Sequence, residues 1–208
     1  LPAHYRLANP AAMADGSLST LAAAATPITK RLLAAWDARA AGAPDGVAVT
    51  QYDEIPVRRF VDLYESGVPD GIHALRDDRF YGWRFDRPDW SYTAYTASEA
   101  GSTTAGAVVG TTVKDGIETV AVTDTVPLVG GERRDRGLRS ILDRVVSRSE
   151  DADTIVATRS AIPRSLLRAH GFLPDDRPPL SAVSTPTKLI TRVFDGTDDP
   201  PWSIGGHD

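Results

Sequence analysis

The chain has 208 residues, which is long for one domain and short for two, so we expect one core with additional segments. Its hydrophobic fraction of 41% and charged fraction of 25% are typical of a soluble globular protein and exclude a wholly disordered chain. The absence of cysteine excludes disulfides, thiolate metal ligands and a cysteine nucleophile. A net charge of −5 argues against general affinity for nucleic acid or anionic membranes.

No apolar run approaches the roughly 20 residues that a membrane-spanning helix needs. No basic segment followed by an apolar stretch indicates a secretion signal. These features predict a cytoplasmic protein that binds neither membrane nor nucleic acid. Because the chain begins at Leu1 without an initiator methionine, we also expect it to be a piece of a longer protein.

Composition divides the chain at about residue 46. Residues 1–46 predict a strand remnant at 1–7 and an alanine-rich linker helix. In that helix, Ile28, Leu32 and Trp36 recur at i, i+4 and i+8 and predict one apolar stripe for packing. Residues 47–194 form the predicted domain, and residues 195–208 are predicted to be a loop or linker.

Within residues 47–194 the predicted order of elements is β-α-α-β-β-β-α-β-α-β-β. Lys114-Asp115-Gly116 joins two Val- and Thr-rich strands and carries the Asp-Gly signal of a tight hairpin. The apolar residues of the next helix recur at i, i+3, i+4, i+7 and i+8, and are Leu138, Ile141, Leu142, Val145 and Val146. Two last strands are predicted at 180–184 and 188–194. The fold class is therefore α/β, with a mixed sheet covered by helices on both faces.

The segment 126–140 is the most informative for function. A long strand runs into a glycine- and arginine-bearing loop, and the loop runs into the helix with the clearest periodicity. The first N–H groups of a helix have no intrahelical partner and attract phosphate, so one interpretation is a phosphate cradle for a nucleotide-like cofactor. The other is a solvated loop whose arginines pair with Glu132 and Asp135. The residues alone leave these two interpretations open.

The order of elements resembles the GNAT superfamily of acyl-CoA-dependent N-acyltransferases over residues 47–194. Arg134 and Gly137 match two fixed positions of that family's phosphate loop, and His170-Gly171-Phe172 matches a family turn. The stretch from Phe80 to Trp90 resembles archaeal tandem GNAT proteins, in which two such units are fused. On that resemblance, residues 1–7 are the last strand of a first unit.

The resemblance implies that acetyl-CoA or another acyl-CoA is the co-substrate and that an amine attacks its thioester directly. The amine would belong to a small molecule or to a protein. Asp124 and His170 are then the candidate catalytic residues, as base and acid. The implied cofactor-binding residues are Val126, Leu128, Arg134, Arg136, Gly137, Leu138, Arg139 and Ser140.

Each catalytic candidate also has a structural interpretation. Asp124 could be a strand carboxylate bonded to a neighbouring threonine, and its neighbours Val122 and Val126 are expected to share its face. His170 could be a histidine at a helix C-terminus, where the helix dipole favours its charged form. The aromatic cluster from Phe80 to Tyr95 is either a substrate platform or a corner of the core, and the spacing favours the core.

The alternative function is a degenerate, non-catalytic GNAT-like unit. It would serve as a scaffold or dimerisation partner of a catalytic domain, either a second GNAT-like unit or another copy. Arg139 and Leu167 favour this alternative, because the family normally has a small residue and a tyrosine at these two positions. The isolated histidines show no metal-ligand spacing, so no metal site is predicted.

Overall fold

The computed structural model describes residues 3–9, 26–35, 44–158, 162–178, 180 and 202–203. Several predicted features lie wholly or mostly outside these residues. They are Trp36, the strands at 180–184 and 188–194, and the tail from residue 195.

The described strands are β1 (Ala3–Leu7), β2 (Val47–Tyr52), β3 (Ile72–His73), β4 (Ser91–Glu99), β5 (Ser102–Lys114), β6 (Ile117–Val126), β7 (Thr154–Thr158), β8 (Leu173–Pro174) and β9 (Trp202–Ser203). Seven of them form one sheet in the order β2-β4-β5-β6-β7-β1-β8. Parallel pairing joins β6 to β7, while the other neighbours in this sheet are antiparallel. A separate parallel pair joins β3 to β9.

Helices cover both faces of the sheet. One face packs against α2 (Val57–Glu65) and α3 (Asp78–Arg84), around a core that includes Phe60 and Val108. The other face packs against α4 (Glu132–Arg148) and α5 (Arg164–Ala169), around a larger core. The predicted α/β class, a mixed sheet with helices on both faces, is therefore confirmed.

Two sequence signals are confirmed in detail. Lys114 pairs with Ile117 across a two-residue turn, in which Asp115 and Gly116 have φ values of 54° and 78°. All five periodic apolar residues of α4 are buried in the larger core, because their spacing places them on one side of the helix. The turn between β4 and β5 has the same form, with Ala100 and Gly101 at positive φ, but alanine gives no such sequence signal.

The N-terminal strand lies inside the sheet. β1 runs antiparallel to β7 on one side and to β8 on the other. The backbone N–H groups of Ala8 and Asn9 both donate to the Asp153 carbonyl at 3.0 Å, which holds the end of β1 beside β7. The boundary predicted at residue 46 stays a prediction, but the strand before it completes the same sheet as the strands after it.

The predicted apolar stripe of the first helix is wrong where it can be checked. Residues 26–35 are helical (α1), yet the side chains of Ile28 and Leu32 are 61% and 63% exposed. Leu33 is instead half-buried and lies close to Gly171. The helix is therefore rotated from the orientation that the i, i+4 pattern predicted, since alanine-rich sequence gives little preference between faces.

Candidate functional site

The parallel strands β6 and β7 lead to the candidate site. Their last described pair is Val122 with Ala157, and β7 ends at Thr158, whereas β6 continues to Val126. A β-bulge lies at the same point, because Val109 pairs with Val122 whereas Val108 pairs with Asp124. The Thr123 hydroxyl donates to the Val108 carbonyl at 2.9 Å within this bulge.

The bulge changes the face on which Asp124 lies. Val122 belongs to the core under α4, whereas Val126 belongs to the core under α2 and α3. Asp124 contacts Arg76 and Tyr81 and so lies on the Val126 side. The expectation that Val122 and Val126 share its face is wrong for Val122, because one extra residue in a strand reverses the alternation of side chains.

Asp124 forms a buried ion pair with Arg76. Arg76 approaches its carboxylate at 3.0 Å, and the two side chains are 1% and 2% exposed. The Tyr81 hydroxyl donates to the same carboxylate at 3.3 Å. Burial raises the pKa of the Asp124 carboxyl, while the Arg76 charge and the hydrogen bonds oppose that rise. In this arrangement Asp124 is the buried counter-ion of Arg76, and both of its neighbours are donors.

His170 lies on the other face of the sheet. Its Nδ1 is 2.7 Å from the Leu166 carbonyl and its Nε2 is 2.8 Å from the Asp143 carboxylate. Both partners are hydrogen-bond acceptors, and they hold the ring between α5 and α4. Arg6 donates to the His170 carbonyl at 2.7 Å. The structure therefore does not bring His170 together with Asp124, and His170 fastens the end of α5 to α4.

Helix α4 begins at Glu132, six residues before Leu138, the first of its periodic apolar residues. Gly131 is its N-cap residue and supplies no side-chain cap, so the first-turn N–H groups lie next to the exposed Gly130 and Gly131. The stretch 134–137, expected to be a loop, is instead part of the helix. Because the helix begins at Glu132, its anion-attracting end lies upstream of Arg134 and Gly137, the two residues that match the family's phosphate loop.

Glu99 binds two arginines at the start of α4. Arg133 Nε donates to Glu99 at 3.0 Å, and Arg136 Nη2 donates to it at 2.8 Å. These hydrogen bonds lower the pKa of the Glu99 carboxyl. Arg133 remains 57% exposed and Arg136 39% exposed, so the group lies at the surface where the β4–β5 turn meets α4.

Arg134 points into the protein and holds the end of β6. Its Nε donates to the Pro127 carbonyl at 2.7 Å and its Nη2 to the Leu128 carbonyl at 3.2 Å. Burial lowers the pKa of its guanidinium, while Asp135 opposes that change. The Leu128 N–H, predicted to serve a cofactor, donates to the Gly67 carbonyl at 3.1 Å. The Arg134 guanidinium and the Leu128 N–H, which were predicted to contact a cofactor, therefore form hydrogen bonds within the domain.

The remaining predicted cofactor residues lie along α4 and β6. Gly137 packs onto the sheet, because an added Cβ would lie 2.7 Å from Thr104 Oγ1 and 2.9 Å from Ala105 Cβ. Leu138 and Val126 are core residues on opposite faces. The Ser140 hydroxyl donates to the Arg136 carbonyl at 3.2 Å, and Arg139 is half-buried. In this conformation Gly137 and Leu138 serve helix–sheet packing.

The aromatic cluster belongs mostly to the core. Phe80, Tyr81 and Phe85 contact one another beneath α3, and Phe85 contacts Tyr92. Trp90 stacks on Tyr92 at an interplanar angle of 13°, and both lie over Gly110, whose missing side chain leaves room for them. Trp83 is the exception at 63% exposure.

Sequence reasoning missed the residues that fix these groups. Arg76, Tyr81, Glu99 and Asp143 are all distant in sequence from their partners. No motif marks them. Asp77 is the nearest signal, since it caps α3 by accepting from the Phe80 N–H at 2.7 Å and so fixes the loop that carries Arg76.

The part of the chain that the structure describes contains neither a candidate metal site nor a membrane-spanning helix. No group of three or more His, Asp or Glu side chains lies close enough there to hold a metal ion. No helix of that part of the chain combines the length and the apolar character needed to cross a lipid bilayer.

The solved structures that are similar to this chain include the following two. One is a GCN5-related N-acetyltransferase from Anabaena variabilis, with a TM-score of 0.48 and 7% identity, covering 83% of this chain and 37% of that one. The other is a functionally unknown conserved protein from Staphylococcus epidermidis, with a TM-score of 0.43 and 10% identity, covering 83% and 56%. Structural similarity at these TM-scores and sequence identities does not indicate which reaction or ligand this chain would have. No protein-family model and no curated protein sequence matches the chain.

Proposed function

We propose that this chain is a GNAT-like domain that binds acetyl-CoA or another acyl-CoA and transfers its acyl group to an amine. The observation that carries the proposal is that β6, which pairs in parallel with β7 as far as Val122, runs on to Val126 and leads to the N-terminus of α4. In α/β proteins, ligands bind at the carboxyl ends of parallel strands. The N-terminus of a helix at that end attracts phosphate.

The phosphate contact would fall upstream of Arg134 and Gly137, within the segment 126–140. Arg134 and Gly137 do not fit a phosphate in this conformation, because Arg134 is bonded to the Pro127 and Leu128 carbonyls and Gly137 is packed against Thr104 and Ala105. The exposed residues 130–133 fit better, since two glycines leave the backbone accessible. Arg133 is paired with Glu99 but stays 57% exposed, so part of its guanidinium can still face a phosphate.

The acyl thioester supplies the activated acyl group, and the chain supplies binding and orientation. Asp124 stays committed to Arg76, so the amine would enter the site unprotonated or lose its proton to another acceptor. We propose that the acyl group is accepted by an amine of a small molecule or of a protein.

Calorimetric titration with acetyl-CoA tests the proposal. We expect saturable binding that becomes about tenfold weaker in Arg133→Glu, because the substitution places a negative charge near the phosphates. The matched control is Arg148→Glu at the other end of the same helix, which should leave the affinity unchanged. Equal loss in both variants would remove the assignment of the phosphates to the helix start.

The second candidate function is a non-catalytic unit, such as the second unit of a tandem protein, that supports or dimerises with a catalytic partner. It would account for the buried Asp124–Arg76 pair and for the hydrogen bond from Arg134 to the Pro127 carbonyl. Absence of heat at millimolar acetyl-CoA, with the protein folded, would support this function and end the transferase proposal.

A further inference from the structure

Strand β2 lies at one edge of the seven-stranded sheet. It pairs with β4 over its whole length, from Val47 to Tyr52, and no other strand of the described part of the chain lies beside it. Beyond that pairing, the only described backbone bond of the strand runs from the Val47 N–H to the Pro44 carbonyl at 3.3 Å. Alternate residues of an edge strand direct their N–H and C=O groups away from the sheet. β2 therefore offers a row of backbone groups to a further strand.

This edge lacks the features that commonly keep an edge strand from pairing with another chain. The strand, of sequence VAVTQY, contains no charged residue and no proline. Its register with β4 is uninterrupted, so no bulge twists the edge away. Proteins use charged side chains, proline and bulges to prevent strand pairing between chains. Their absence from β2 indicates an edge that can accept a partner strand.

Two exposed arginines of α4 flank the Gln51 end of this edge. Arg144 and Arg148 lie one turn apart on the helix, and neither forms an ion pair with a described residue. Burial raises the pKa of Tyr95, and the charges of Arg148 and Arg144 oppose that rise, so both lie near Tyr95. Tyr95 is the register partner of Gln51 on β2. Like charges one turn apart repel each other, so a carboxylate that approaches them is favoured.

A carboxylate lies at the opposite end of the strand. Asp45 is exposed two residues before β2 and has no ion pair with a described residue. When two identical strands pair in antiparallel fashion, the start of each lies beside the end of the other. Asp45 of each copy then approaches Arg144 and Arg148 of the other copy. A strand of one charge sign would be repelled at one end, whereas a second copy of β2 meets attraction at both ends.

We propose that two copies of this chain associate by antiparallel pairing of their β2 strands, which joins their two sheets into one. The contact is two-fold symmetric, so the same surface of each copy takes part. β4 and β5 separate β2 from β6, so this surface is distinct from the candidate acyl-CoA site. The inference does not rest on the proposed acyl transfer.

Sedimentation velocity and amide hydrogen exchange, both on the whole chain, test the proposal. A single strand edge is smaller than a standard protein interface, so we expect a weak dimer that dissociates between about 1 mM and about 1 μM. Amides of β2 should exchange more slowly at the high concentration, whereas those of β5, inside the sheet, should not change. A chain that stays monomeric at about 1 mM, or a dimer whose β2 amides exchange as in the monomer, would overturn the proposal.

Charge-reversed variants test the two-fold arrangement. Arg148→Glu and Asp45→Arg should each weaken the dimer about tenfold, because each reversal occurs twice in a symmetric contact. Arg168→Glu is the matched control, since Arg168 is exposed on α5 and lies away from β2. An equal mixture of the Arg148→Glu and Asp45→Arg chains should form a heterodimer of the original affinity, because opposite charges then meet in both halves. Failure of the mixture to associate more tightly than either variant alone, or equal weakening by Arg168→Glu, would contradict the arrangement.

Discussion

At the scale of single residues, buried charge dominates the candidate site. Arg76 and Asp124 satisfy each other in a place that water does not reach. A buried ion pair adds little net stability, since the cost of desolvating two charges offsets most of their attraction. Removing one partner is nevertheless strongly destabilising, because the other charge then stays buried without compensation. The residue that looked catalytic in the sequence is therefore one on which the fold depends.

Arg76→Met should lower the free energy of unfolding by about 3–5 kcal/mol, because the Asp124 carboxylate then lacks its partner. Urea unfolding measures this loss. Arg79→Met is the matched control, since Arg79 is exposed on α3 and its loss should change stability by less than about 0.5 kcal/mol. A similar small change in both variants would contradict the dependence of Asp124 on Arg76.

Gly137→Ala should destabilise the protein by about 1–3 kcal/mol, although alanine is the better helix former. Its Cβ would lie 2.7 Å from Thr104 Oγ1 and push α4 away from the sheet. Gly82→Ala is the comparison within α3, where nothing lies within 4 Å of the added Cβ. That variant should gain about 0.5–1 kcal/mol. Thermal unfolding of both variants distinguishes packing from helix propensity.

At the scale of elements, Glu99 joins the β4–β5 turn to the start of α4 through Arg133 and Arg136. Its folded pKa is lowered below the ordinary value of 4.5. A group whose folded pKa is depressed stabilises the native state above the unfolded pKa, and this contribution disappears as the pH falls through the folded pKa.

Glu99→Gln should therefore have a lower urea midpoint than the unmodified chain at pH 7, and the gap should close when the pH falls well below 4.5. Glu65→Gln, exposed on α2, should show no gap at either pH. A gap that persists unchanged at low pH would mean that Glu99 acts through packing and not through its charge.

At the scale of the whole molecule, β1 holds the far side of the sheet together. β8 pairs with β1, and β1 separates it from β7. Removing β1 would leave β8 without a neighbour and expose the edge of β7, while Arg6 would no longer fasten the His170 carbonyl. The sheet thus depends on a segment that the composition set apart from the domain.

Deletion of residues 1–9 should increase the amide hydrogen exchange of β7 and of residues 173–174 towards that of unprotected amides, since their ladder partners are gone. The β4–β5 hairpin should keep much more of its protection. A synthetic peptide of residues 1–9, added in trans, should restore protection in β7. Unchanged exchange in the deletion variant would show that β1 is dispensable.

The sequence by itself determined the local periodicities. The apolar spacing from Leu138 to Val146 predicted the buried side of α4, and Asp115-Gly116 predicted the turn of the β5–β6 hairpin, because neighbouring residues decide such features. The mixed α/β class is confirmed, but the predicted order of elements omitted β3, a strand of two residues between α2 and α3. The assignments of function and of site residues remain proposals.

The tertiary structure decided which side chains meet. The bulge at Thr123 turned Asp124 towards Arg76, 48 residues away in the chain, and the path of the chain placed β1 between β7 and β8. Partners so distant in sequence leave no local pattern. Which counter-ion a buried charge meets depends on which distant segment of the chain packs beside it. That is determined only when the sheet and its helices pack together.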